Sequence, residues 1–136
     1  MRQTSRGVTP DDIYIYKISD IIRIIDGDTI EVFIELGFNV YHREKVRLLG
    51  FDAPETFRPQ TERERIGGKK VKEYLTSLLK DEKNLYIKTK KRGKYGRYLG
   101  IILKKENNIL ISINDNVKLF MESNNLTKKE LRNIKN

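Results

Sequence analysis

The run from Ile13 to Leu36 constrains this chain most, because it reads as strand almost throughout. Ile13 to Ile25 is dominated by β-branched and aromatic residues, which suit a pleated surface. Asp26-Gly27-Asp28 is a turn signal. Beyond it Ile30, Val32, Ile34 and Leu36 alternate with Glu31, Phe33 and Glu35, the period of two expected of a half-buried strand. Gly37 to Asn39 can make the next turn. Val46 to Phe51 then reads as a third strand ending at Asp52 and Pro54, Leu85 and Ile87 mark a fourth, and Tyr98 to Leu103 a fifth.

Between the third and fourth strands the pattern changes. Glu55 to Gly68 is polar without a period and reads as a loop, whereas Lys69 to Lys80 places Val71, Leu75, Leu78 and Leu79 on one helical face. Asn107-Asn108 turns into a short apolar run, Ile109 to Ile111, and Ile113 to Met121 reads as a short helix. Thr127-Lys128-Lys129-Glu130 has the spacing of a capping box and should open a last short helix. The expected fold is α+β: a small five-stranded barrel of OB-fold type with about three helices, the last ones short. Residues 1–12 read as a flexible arm and 13–136 as a single domain, a length that buries roughly two-thirds of the unfolded surface.

Charge is unevenly spread. Residues 1–60 carry 8 basic and 10 acidic side chains, while residues 61–136 carry 20 and 9. That asymmetry fits either a polyanionic partner on one face with an acidic pocket elsewhere, or simply a Lys-rich solvated surface. The chain has no Cys and one His, His42, which excludes disulfides and thiolate sites and argues against imidazole-built zinc centres. No apolar run approaches the roughly 20 residues of a membrane span, and the N-terminus lacks the apolar stretch of a signal peptide. The expectation is a non-membrane protein, cytoplasmic or virus-encoded, and secreted only if a leader was removed.

Three segments carry residue types that phosphodiester chemistry needs. Asp26-Gly27-Asp28-Thr29 places carboxylates on a tight turn, where their oxygens can meet a hard cation, although Asp-Gly is also among the commonest hairpin turns. Arg47-Leu48-Leu49-Gly50-Phe51-Asp52-Ala53-Pro54-Glu55 puts an arginine into an apolar strand, which is costly unless its guanidinium finds a partner, and closes on two acids. Lys88 to Arg97 holds six basic residues and no acid, with Tyr95 and Tyr98 interleaved as stacking surfaces for bases.

In this order, in one small chain, these segments resemble the staphylococcal nuclease (thermonuclease) family. The resemblance runs from about Ile22 to Ile113, through Ile25-Asp26-Gly27-Asp28-Thr29, Arg47 to Thr56, and Lys94-Tyr95-Gly96-Arg97. It implies a calcium-dependent nuclease acting on DNA and RNA as a monomer, leaving 3′-phosphate ends. Asp28, Asp52 and the backbone carbonyl of Ala53 would hold one calcium ion, with Asp26 and Thr29 just behind these ligands. Glu55 would position or deprotonate the attacking water. Arg47 and Arg97 would bind the phosphate, and Lys94 and Tyr95 the terminal phosphate of a nucleotide. The alternative is a barrel that binds nucleic acid without cutting. Relatives of that kind typically lose the acids or arginines, and all five are present here.

Two departures from the family pattern stand out. The helix after the acidic loop usually starts Gly-x-Glu-Ala, and here Gly68-Lys69-Lys70-Val71 puts Lys70 in place of the Glu. After Asn114 the tyrosines that pack beside the nucleotide are missing, since no Tyr follows Tyr98.

Overall fold

The computed structural model describes residues 14–90 and 98–133. The expected arm at 1–12 and the part of the basic segment at 91–97, with Lys94, Tyr95 and Arg97, lie outside the described residues. In chain order the elements are β1 (Ile15–Asp26), β2 (Thr29–Glu35), β3 (Tyr41–Leu48), α1 (Glu62–Leu79), β4 (Leu85–Lys90), β5 (Tyr98–Glu106), β6 (Ile109–Ser112), α2 (Ile113–Ser123) and α3 (Lys128–Arg132).

The strands run β3-β2-β1-β4-β5-β6, and a parallel pairing of β3 with β5 closes the first five into a mixed barrel. β1 makes this possible because it is long enough to serve two neighbours. Ile15 to Lys17 pairs with β4, while Lys17 to Asp26 pairs with β2 through three register shifts. Each such irregularity bends the strand and increases its twist, which a closed barrel requires. Ile30, Val32, Ile34, Val46, Leu48, Leu85, Ile87 and Ile102 fill the interior. The expected α+β, OB-type barrel with three helices is therefore what forms, with β6 added as a hairpin partner of β5.

Two boundaries differ from expectation. β3 spans Tyr41–Leu48 and not 46–51. Its first half is exposed and polar, so it shows no hydrophobic alternation, but its backbone pairs with β2 from Glu35↔Tyr41 onward. It ends before Gly50, whose φ of 98° is a left-handed turn that an extended strand cannot contain. α1 begins at Glu62, seven residues before the expected start at Lys69. Thr61 caps it, accepting a hydrogen bond from the Glu64 amide at 3.0 Å. Thr61-Glu62-Arg63-Glu64 has the capping-box spacing, a signal that the polar composition of the segment concealed.

The apolar face of α1, with Val71, Leu75 and Leu79, packs into the core beside Val117 and Met121 of α2. The acidic loop lies against the same helix at Gly68, where an added Cβ would stand 2.9 Å from the carbonyl oxygens of both Pro54 and Glu55. Only glycine allows the loop to sit that close. Asn114, at the start of α2, donates to the carbonyls of Leu49 and Gly100 and accepts from the Ile102 amide, pinning α2 across the β3–β5 closure. Among the described residues no helix is long and apolar enough to cross a membrane.

Candidate active site

The β1–β2 turn and the end of β3 meet because β2 and β3 pair in register from Thr29↔Arg47 outward. Asp28 leaves the turn and Arg47 leaves the strand on the same side, and the Leu48 amide donates to the Asp28 carbonyl at 2.7 Å. Asp28 is buried. Its Oδ2 accepts from the Ala53 amide at 2.8 Å, and its Oδ1 accepts from the Thr29 hydroxyl at 3.0 Å. Burial pushes the Asp28 carboxyl above its ordinary value, opposed by Arg47, the Ala53 amide and Thr29, while the charge of Asp52 adds to the rise.

Arg47 is the hub. Its Nη2 lies 3.4 Å from Asp28 Oδ2 and 3.2 Å from Asp52 Oδ1, so two carboxylates converge on a single cationic nitrogen. Its Nη1 donates to the carbonyls of Leu48 at 2.5 Å and Phe51 at 3.0 Å, fixing the loop that carries Asp52. The partners that an arginine in an apolar strand requires come from the loop just after it and, across the β2–β3 pairing, from Asp28. Asp26 stands behind this pair and accepts from the Thr56 amide at 3.3 Å and from the Thr56 hydroxyl.

Three residues not singled out in the sequence complete the site. Glu64 is fully buried on α1 and accepts from the amides of Glu55 at 2.9 Å and Gln60 at 2.7 Å, and from Arg132 Nε at 2.8 Å. Burial alone would raise its pKa, but Arg132 and the two amides outweigh it and bring it from 4.5 down to about 2. Arg132 belongs to α3, and so does Lys128, whose Nζ stands 3.0 Å from Asp52 Oδ1 and 3.4 Å from Glu55 Oε2. The capping box at Thr127 was a signal that α3 exists. Nothing local told which face of it would meet the acids, more than seventy residues away in sequence.

The structure therefore brings together Asp28, Arg47, Asp52 and Glu55, with Thr29, Ala53 and Asp26 in support. At Ala53 the observed contact runs through the amide. Phe120, on α2, stacks on Tyr74 of α1 with ring centroids 4.0 Å apart, so its ring is engaged with the helical layer.

A family model described as staphylococcal nuclease homologue matches residues 45–131, which includes the Arg47–Glu55 segment, α1 and all but the last residue of α3. The chain belongs to the staphylococcal nuclease homologue family. An uncharacterized protein of Methanocaldococcus jannaschii is 28% identical over 122 residues, covering 76% of this chain and 56% of that protein. The chain thus spans little more than half the length of this relative. Arg47, Asp52, Ala53, Glu55 and Glu64 all sit inside the matched segment.

Proposed function

We propose that this staphylococcal nuclease homologue is a calcium-dependent nuclease that hydrolyses phosphodiester bonds of DNA and RNA and leaves 3′-phosphate ends. The observation that carries the reading is the convergence of Asp28 and Asp52 on one cationic point, with Glu55 three residues further along the same loop.

The donors fit a hard cation in kind. Both carboxylates offer oxygens, and a buried carboxylate such as Asp28 gains from a nearby positive charge. Among the described residues no three His, Cys, Asp or Glu side chains gather into a metal cage. A hard cation held there would draw the rest of its oxygen shell from water and substrate. Asp28, Asp52 and the Ala53 carbonyl would hold it, and when bound it would supply Lewis-acid polarisation of the phosphate.

The protein groups would divide the remaining work. Glu55 would take or orient a proton of the attacking water, whose oxygen forms the new bond to phosphorus as the bond to the 5′-oxygen breaks. Arg47 would turn its planar fork to the phosphate oxygens and stabilise their growing charge. By the sequence resemblance, Arg97 would do the same from the β4–β5 connection, with Lys94 and Tyr95 holding a terminal phosphate.

The first test is cleavage of single-stranded DNA with calcium, with magnesium, with zinc and with chelator. Calcium should give the highest turnover, magnesium little, because it demands strict octahedral geometry, and chelator none. Equal rates with magnesium would remove calcium from the proposal. Glu55→Gln should retain DNA binding while losing about 10²-fold in turnover. Wild-type protein that binds DNA but leaves it intact in calcium would point instead to a non-catalytic binding module.

A further inference from the structure

Lys128 is an unusual lysine for a charged surface. Its side chain is 19% exposed, and its Nζ bridges Asp52, an expected metal ligand, and Glu55, the expected water-activating group. Its place is set by the fold. Thr127 caps α3 by accepting from the Glu130 amide and donates to the Glu130 carboxylate, while the Thr61 hydroxyl donates to the Leu131 carbonyl at 2.7 Å. Arg63 donates to the Asn133 carbonyl and Arg132 holds the buried Glu64. Leu131 packs into the core at Gly67. The C-terminal end of the short helix is thereby clamped to α1, and its capped first turn presents the lysine to the acids.

Charge explains what such a lysine does. With Asp28, Asp52 and Glu55 ionised, Arg47 and Lys128 leave this cluster one negative charge in excess. A divalent cation turns that into one positive charge, which a single phosphodiester anion neutralises. Without Lys128 the metal alone would neutralise the cluster, and only groups outside it, such as Arg97, would remain for the phosphate. An ammonium and a divalent cation also cannot both sit against Asp52 Oδ1 without strong repulsion. Beside Asp52 a cleft of about 290 Å³, lined by Phe51, Lys118, Lys128 and Lys129 among others, gives the ammonium somewhere to go.

We propose that Lys128 is a positioning residue that competes with the metal for Asp52 and Glu55, so that metal binds weakly to the free protein and tightly once a phosphate receives the displaced ammonium. This inference rests on the metal-dependent reading above. It makes metal and phosphate binding mutually reinforcing, as linkage requires of any such coupling.

Calorimetric titration of calcium into metal-free protein, alone and with a nucleoside 3′,5′-bisphosphate, tests it. In the wild type the nucleotide should enhance calcium binding. Lys128→Met should bind calcium alone roughly five- to tenfold more tightly, and the enhancement by nucleotide should shrink by a similar factor. Lys128→Arg should keep the wild-type pattern, and Lys128→Gln provides a second neutral variant should methionine disturb α3. Calcium binding only in the neutral variants would support the proposal in its strongest form. Unchanged or weaker calcium affinity in both neutral variants, or undiminished enhancement, overturns the role of Lys128 while leaving the metal-dependent reading intact. Absence of calcium binding in all four proteins overturns both.

Discussion

Arg47→Lys is expected to lower the turnover of DNA cleavage by ~10²–10³-fold, although the charge is kept. The guanidinium serves two masters from two nitrogens. Nη1 holds the carbonyls of Leu48 and Phe51, and Nη2 faces the carboxylates of Asp28 and Asp52. An ammonium has one nitrogen and no planar fork, so it can hold the loop or face the acids, but not both. The loss should fall on turnover more than on substrate affinity, because the fork matches the phosphate best as charge builds on its oxygens. Arg47 is not part of the apolar core, so the melting temperature should move by only a few degrees. Turnover within threefold of wild type would remove Arg47 from the reacting groups and leave it as a brace for the loop.

The second large effect is on stability. Glu64→Ala should cost about 3–5 kcal/mol, enough to lower the melting temperature by roughly 10–20 °C in a domain of this size. The carboxylate is fully buried and accepts from two loop amides and Arg132, so its removal strands three donors at once. Because its folded pKa lies near 2 against an ordinary 4.5, the stabilisation is complete above about pH 4.5 and is lost as pH falls toward 2. Acid unfolding curves of the wild type should therefore steepen in that window, and those of Glu64→Gln should be flatter there. The same variants should loosen α3 and the Glu55 loop together, since Glu64 ties both. A Glu64→Ala cost under 1 kcal/mol would show that water replaces the lost acceptor.

Some of this was legible one residue at a time. The alternation in Ile30–Ile34 and the Asp-Gly turn define the β1–β2 hairpin, and the three sequence signatures carry the family resemblance. These signals are local, set by side-chain period, turn chemistry and short spacing, and they act before any distant contact forms. The start of α1 is not legible because a polar first turn hides its capping box, and the first half of β3 because backbone pairing leaves no trace in an exposed strand.

The sequence by itself thus determined the barrel class, the likeness to the nuclease family, and which acids and arginines were candidates for its site. Tertiary structure alone decided which groups face them: Arg47 shared between Asp28 and Asp52, Glu64 buried under the Glu55 loop, and Lys128 brought from the last helix onto the acids. The reason is separation along the chain. Lys128 is 76 residues from Asp52, and no periodicity or cap encodes a pairing at that distance. Only the packing of α3 on α1 places that ammonium on that carboxylate.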